Sequence, residues 1–137
     1  MSKSNLENNC CSLDLPMRTA KPRIKGITAI TDVGIPIGEL RLILEDYGVF
    51  LDIAKLGVGT AAITPRLIEK IQLYREYGVQ VYFGGTLFEK YYSQGKLAGY
   101  VDMLRNFDVT CIEVSNGSID ISLQERFSPI TNYLIVL

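Results

Sequence analysis

Residues 78–89 read GVQVYFGGTLFE, a β-branched and aromatic run that meets a glycine pair and then reaches a carboxylate. The run predicts a strand that ends at Phe83, and the glycine pair predicts a loop, because Gly84 and Gly85 lack a Cβ and accept positive φ or a close neighbour. Thr86 is then placed to cap a following helix. The stretch is therefore typical of a βα unit.

The same plan of strand, loop and helix recurs on both sides of this stretch. Predicted strands cover residues 26–31, 49–56, 79–83 and 109–114, and predicted helices cover 37–47, 65–77 and 96–106. A helix with a break and a restart is expected around 91–95, a capping box at 122–125 opens a short fourth helix, and 130–137 form a terminal apolar run that is a strand or a remnant of one.

Strands separated by full helices imply parallel pairing, because parallel neighbours need a crossover connection. The predicted class is α/β, either a small doubly wound sheet or the first half of a (β/α)8 TIM-type barrel. We expect a flexible leader over residues 1–22, the βα domain over 23–126 and an atypical tail over 127–137. The predicted open edges of the sheet are strands one and four.

The composition of the chain argues against several classes of function: nucleic-acid binding, membrane binding and histidine-dependent catalysis are not expected. The chain has 137 residues and a net charge of -1, with no basic cluster, so neither nucleic acid nor an anionic membrane is an expected partner. No apolar run is long enough to span a bilayer and no signal core is evident, so the expected location is the cytoplasm. The chain has no histidine, which excludes Ser-His and Cys-His nucleophilic systems.

Ionisable residues fall at or just beyond the ends of the predicted strands. In parallel architectures these ends converge on one face, where binding and catalysis are normally found. The candidates are Asp32, Lys55, Glu89 and Glu113, joined by Ser115, Asn116 and the backbone amides of Gly57, Gly59, Gly84 and Gly85. Two or three carboxylates facing one cavity would suit Mg²⁺, and a lysine beside them could neutralise an anionic substrate or pass a proton.

Structural alternatives stand beside these roles. Lys55 and Glu113 each lie between apolar neighbours, where an unpaired charge is costly, so a structural ion pair between them would account for both residues without catalysis. Asp32 and Glu89 could simply cap βα loops. Asp52 is interpreted as structural, because strand alternation places it off the face of Lys55.

Four segments in the same order and spacing resemble the phosphosulfolactate synthase family. They are Asp32–Pro36, Asp52–Thr60, Gly84–Glu89 and Glu113–Asp120, and the resemblance covers about Arg23 to Arg126. It implies a (β/α)8 barrel and the Mg²⁺-dependent addition of sulfite to phosphoenolpyruvate, which gives (2R)-phospho-3-sulfolactate in coenzyme M biosynthesis. The small anions phosphoenolpyruvate and sulfite are then the expected substrates.

Site residues follow from the resemblance and the strand-end positions together. Lys55, Glu113 and Glu89 are the expected catalytic residues, and Asp32, Glu89 and Glu113 are the expected metal ligands. The expected substrate-binding residues are Asp32, Gly57, Gly59, Thr60, Gly84, Gly85, Thr86, Ser115 and Asn116.

Two departures from the family pattern keep other functions open. Val33 stands where family enzymes commonly have a lysine, and Asn116 stands where an aspartate is often found. A non-catalytic relative, similar to plant heat-stress-associated proteins, and a truncated gene product are the alternatives. Because the chain ends near the fifth strand, we expect self-association or a missing second half-barrel.

Overall fold

The computed structural model describes residues 14, 16–121 and 134–136 of the chain. The strands are β1 (Ala29–Asp32), β2 (Ile53–Leu56), β3 (Gln80–Phe83), β4 (Cys111–Glu113) and β5 (Leu134–Val136). The helices are α1 (Ile37–Tyr47), α2 (Leu67–Glu76), α3 (Gly85–Ser93) and α4 (Leu97–Asn106). Short 3-10 turns cover Gly48–Phe50 and Thr60–Ala62.

The five strands form one sheet in the order β1-β2-β3-β4-β5, and every neighbouring pair is parallel. The order therefore follows the chain without reversal. A doubly wound sheet would reverse its strand order and carry helices on both faces. The predicted α/β class is confirmed, and the consecutive order is consistent with the first half of a TIM-type barrel.

One face of this sheet carries the hydrophobic core. Its strand residues are Ala54, Leu56, Val81, Phe83 and Ile112, and all four helices contribute to the same cluster. Fully buried helix residues in it include Leu40, Leu44, Ile71, Tyr74, Phe88 and Leu104. Because strand side chains alternate between faces, the opposite face carries the intervening residues, and these position the site described below.

Most element bounds agree with the sequence prediction, and the exceptions lie at element starts. The helix after the glycine pair begins at Gly85 with Gly84 as its N-cap, so the predicted capping role of Thr86 is wrong. Residues 49–50 lie in a 3-10 turn, and β2 begins only at Ile53. The expected break between two helices is confirmed, because α3 ends at Ser93 and α4 starts at Leu97.

Residues preceding β1 contact the amino-terminal end of the sheet. Lys21 Nζ donates to the carbonyl of Tyr77 at 2.9 Å, and the buried guanidinium of Arg23 lies 2.7 Å from Asp52 Oδ1. Asp52 also accepts the Thr28 amide at 2.8 Å, so its predicted structural role is confirmed. Residues 16–22, which the prediction assigned to the leader, therefore include specific contacts with the domain.

The sheet edges differ from the prediction. β4 pairs with β5 through Cys111 and Leu134, Ile112 and Ile135, and Glu113 and Val136, so the expected open edge at strand four is wrong. β1 is an edge of the described sheet, as expected. The predicted capping box at 122–125 lies outside the described residues. In the described part of the chain, no helix has the length and apolar character needed to cross a membrane.

Candidate active site

An ion pair joins β2 to β4 on the sheet face opposite the core. Lys55 Nζ lies 2.5 Å from Glu113 Oε2, and the two side chains keep 27% and 21% of their exposure. Strands two apart are separated by roughly 9.6 Å, so only long side chains can meet across the strand between them. The structure thus brings together two of the predicted catalytic residues, as the structural alternative also expected.

Tyr82 lies between these two residues on the same face, and the sequence analysis did not select it. β3 places Tyr82 beside Lys55 on one neighbouring strand and beside Cys111 on the other. Glu113 is two residues beyond Cys111 and shares its face. Tyr82 is buried to 7% exposure but does not belong to the hydrophobic core cluster. The alternation of Val81 and Phe83 with Tyr82 is the signal that could have identified it.

The glycine pair allows Lys55 and Glu113 to approach the start of α3. A Cβ on Gly84 would lie 2.9 Å from Lys55 Cε and 3.4 Å from Gly57 Cα. A Cβ on Gly85 would lie 2.1 Å from Ser115 Oγ and 3.4 Å from Glu113 Oε1. A Cβ closer than 3.0 Å to a heavy atom forces a shift, of the flexible Lys55 side chain at Gly84 and of the Ser115 side chain at Gly85, so both glycines serve close approach. Gly84 and Gly85 therefore adjoin the ion pair, and Gly57 and Ser115 adjoin these two glycines.

Glu89 of α3 holds the loop that follows β4. Its carboxylate accepts hydrogen bonds from the Ser115 and Ser118 hydroxyls and from the amides of Gly117 at 2.7 Å and Ser118 at 3.1 Å. Burial raises the pKa of Glu89, but these hydrogen bonds outweigh burial and hold the pKa below its ordinary value. Both carboxylate oxygens are engaged, so Glu89 organises the loop next to the ion pair.

Asp32 lies on the other face of the sheet, so the structure does not bring it to Lys55. The register pairs Asp32 with Leu56, whereas Lys55 is paired with Thr31. The Asp32 side chain is fully buried beneath α2, where Oδ2 accepts Lys70 Nζ at 2.7 Å and the Tyr74 hydroxyl at 3.0 Å. The expectation that Asp32 faces the same cavity as Lys55 is therefore wrong.

The remaining Asp32 oxygen organises the first βα loop. Oδ1 accepts the backbone amides of Gly34 at 2.8 Å and Ile35 at 2.7 Å. This is the loop-capping alternative that the sequence left open. Burial, and then the Asp32 carboxylate, raises the pKa of the Tyr74 hydroxyl, which keeps it a hydrogen-bond donor.

The other predicted substrate-binding residues lie a few positions beyond the strand ends, and some are hydrogen-bonded while others are exposed. The Thr60 hydroxyl donates to the carbonyl of Gly57 at 2.9 Å, and Gly59 has a φ of 73° as it leads into the 3-10 turn. Thr86 and Asn116 are exposed. Their predicted contacts with substrate stay predictions.

The described carboxylates do not fit the expected Mg²⁺ site. No group of three or more acidic, histidine or cysteine residues within the described ranges is arranged to hold a metal ion. Asp32 is on the opposite face, Glu89 is engaged by four donors, and Glu113 is paired with a lysine. A magnesium ion would have to displace Lys55 or the loop donors to gain these oxygens.

A cavity of about 610 Å³ lies elsewhere, between the start of α2 and the surface of α3 and α4. Its walls include Leu67, Tyr91, Met103 and Phe107 but none of the predicted site residues. If volume alone were the criterion, this cavity rather than the ion pair would be the candidate site. We assign the candidate active site to the sheet face, because the opposite charges and the strand ends meet there.

A family model and individual relatives of known name indicate the same family. Residues 16–134 match the family model described as (2R)-phospho-3-sulfolactate synthase (ComA). The phosphosulfolactate synthase of Bacillus subtilis (strain 168) is 36% identical over 125 residues, which cover 91% of this chain and 50% of that protein.

Two further proteins with the same name are also similar to the chain. The phosphosulfolactate synthase of Methanocaldococcus jannaschii is 39% identical over 104 residues, covering 74% of this chain and 41% of that protein. The phosphosulfolactate synthase of Methanothermobacter thermautotrophicus is 34% identical over 113 residues, covering 81% and 44%. The chain thus spans about half the length of the relatives that it matches.

Proposed function

The chain belongs to the phosphosulfolactate synthase family, and from that premise we propose that it carries the amino-terminal half of a site that adds sulfite to phosphoenolpyruvate. The product would be (2R)-phospho-3-sulfolactate. The observation that supports the proposal is the Lys55–Glu113 pair, a partly exposed charge pair that joins β2 to β4 across β3 near the carboxyl ends of these parallel strands.

The reaction needs positive charge beside a small anion. The sulfite sulfur attacks C3 of phosphoenolpyruvate, the electrons of the C2–C3 double bond move toward C2 and the carboxylate, and C2 then takes a proton. The Lys55 ammonium is placed to neutralise the charge that develops on the carboxylate. The Glu113 carboxylate forms an ion pair with this ammonium at 2.5 Å and so orients it.

Glu89 contributes to the site indirectly. Its hydrogen bonds fix the loop at Ser115, Gly117 and Ser118, and Ser115 in turn lies against Gly85. We expect this loop to limit how an anion enters beside Lys55. The role is one of positioning, because both Glu89 oxygens are already engaged by the protein.

Magnesium dependence stays a prediction. Since the described carboxylates do not fit a metal site, the roles of Lys55, Glu113 and Glu89 are assigned without a metal ion. Comparing product formation with excess Mg²⁺ and with a chelator tests the prediction. A rate that does not change between the two conditions would contradict it.

The function is tested by incubating the purified chain with phosphoenolpyruvate, sulfite and excess Mg²⁺ and following the phosphorus NMR signal. Because the chain carries half of a site, we expect at most slow formation of a new phosphate ester with the wild-type chain, together with phosphoenolpyruvate binding that Lys55→Met weakens. The matched control is Lys90→Met, which removes an exposed lysine from α3. If the wild-type chain forms no product at high concentration and binds no phosphoenolpyruvate, the proposal for this chain is wrong.

A further inference from the structure

Tyr82 occupies the centre of the face that carries the ion pair. Its strand lies between the strands of Lys55 and Glu113, and its residue position is in register with Lys55. Neighbouring strands are about 4.8 Å apart, so Tyr82 lies on this face between the strands that the ion pair joins. Any anion that contacts Lys55 from this face therefore also approaches Tyr82.

The hydroxyl of Tyr82 has no structural task in the described part of the protein. Tyr74 uses its hydroxyl to bind Asp32 at 3.0 Å, but no described residue hydrogen-bonds the hydroxyl of Tyr82. Tyr82 is buried to 7% exposure, but it is not part of the hydrophobic cluster on the other face of the sheet. A mostly buried phenol whose hydroxyl makes no hydrogen bond to the described residues, beside a charge pair, is available to a ligand.

We propose that Tyr82 is a third substrate-binding residue of the Lys55–Glu113 site and donates a hydrogen bond from its hydroxyl to the bound phosphorylated carboxylate. This inference rests on the proposed function. The ligand class follows from the chemistry of the face. Lys55 supplies charge for one anionic group, and a neutral phenol supplies a directed donor for a second oxygen of the same molecule.

The electrostatic surroundings keep the phenol in its donor form. Burial raises the pKa of the Tyr82 hydroxyl, the Lys55 ammonium lowers it and the Glu113 carboxylate raises it, with a net increase. Cys111, the neighbour on β4, acts in the same direction as Glu113. Tyr82 is therefore protonated at neutral pH and can donate.

The first test compares Tyr82→Phe with Tyr47→Phe in the full chain. Each change removes one hydroxyl, but Tyr47 is 58% exposed on α1, away from the site. Phosphoenolpyruvate and sulfite are titrated separately by calorimetry. We expect Tyr82→Phe to weaken phosphoenolpyruvate binding roughly tenfold, as for a hydrogen bond to a charged group, with unchanged thermal unfolding. Equal affinities of Tyr82→Phe and wild type would overturn the inference.

A second measurement separates this inference from the proposed function. Tyrosine labelled with ¹³C at Cζ reports ionisation of the Tyr82 hydroxyl by NMR, and Tyr82→Phe assigns its signal. We expect Glu113→Gln to lower the pKa of Tyr82 and Lys55→Met to raise it. If wild type binds neither phosphoenolpyruvate nor sulfite, the proposed function fails, while this titration still decides whether Tyr82 lies beside both charges. A Tyr82 pKa that responds to both substitutions supports that position, and an unresponsive pKa overturns it.

Discussion

Lys55 Nζ of β2 lies 2.5 Å from Glu113 Oε2 of β4, across the strand that carries Tyr82. The two charges meet because both side chains are long and lie on the sheet face opposite the core. The Gly84–Gly85 pair leaves room for them, since a side chain at either position would collide with Lys55 or Ser115. The candidate site thus depends on one ion pair and on two missing Cβ atoms.

Gly85→Ala should destabilise the protein, because the new Cβ would lie 2.1 Å from Ser115 Oγ. We expect a loss of about 1 to 3 kcal/mol in the free energy of unfolding, typical of forced overpacking. Gly38→Ala is the control, since a Cβ there meets nothing within 4 Å on α1. It should stabilise by about 0.5 to 1 kcal/mol. Urea unfolding measures both variants, and equal effects would contradict the close approach.

Asp32→Asn should cause a large loss of stability. The change leaves the Lys70 ammonium, 3% exposed, without its counter-ion. Removing one partner of a buried pair costs about 3 to 5 kcal/mol. Asp102→Asn is the matched control, because its pair with Arg105 at 3.4 Å has 68% exposure on both sides. That change should cost less than about 1 kcal/mol. Similar urea midpoints for the two variants would refute the buried pair.

Part of the fold and part of the site could be predicted from the sequence alone. The βα order, the bounds of α1 and the Lys55–Glu113 pair could be predicted, because helical periodicity, flanking apolar residues and strand ends are local signals. The face of Asp32 could not be predicted from strand ends alone. It depends on register, and Asp32 is paired with Leu56 rather than with Lys55. A shift of one residue moves a side chain to the other face of a sheet.

Two further differences have the same origin in tertiary structure. Thr86 has a side chain typical of a helix cap, but the N-cap is Gly84, two residues earlier, where the chain lies close to Lys55 and Gly57. Tyr82 was not selected because a tyrosine in an apolar strand is ordinarily a packing residue. Only the sheet order shows that it lies between two charged neighbours.

Glu89→Gln should reduce stability at neutral pH by about 1 to 3 kcal/mol, because an amide cannot accept all four hydrogen bonds. The native pKa of Glu89 lies below its ordinary value of 4.5, so the unfolded chain takes up the proton first as the pH falls. The stabilisation from Glu89 is therefore complete above that value and is lost as the pH falls through the native pKa.

The measurement is the free energy of unfolding against pH, from pH 7 down to pH 3. We expect Glu89→Gln to show a shallower decline than wild type in the acid range. Glu45→Gln, which changes an exposed residue of α1, should run parallel to wild type. Parallel curves for Glu89→Gln and wild type would show that the loop does not depend on this carboxylate.

Self-association is predicted from the edge of the sheet. β1 has a pairing partner on one side only in the described sheet, which leaves backbone donors and acceptors available to another strand. Sedimentation velocity at micromolar concentration should therefore show a dimer or larger species. A well-folded monomer over that range would contradict the prediction.

The most direct test of the account is the affinity of the full chain for phosphoenolpyruvate, measured by calorimetry for wild type, Lys55→Met and Lys90→Met. Lys55→Met removes the ammonium and leaves the Glu113 carboxylate facing the ligand, so we expect binding at least roughly tenfold weaker than wild type. Lys90→Met should bind as wild type does. Equal affinity of Lys55→Met and wild type would contradict the assignment of the site to this ion pair.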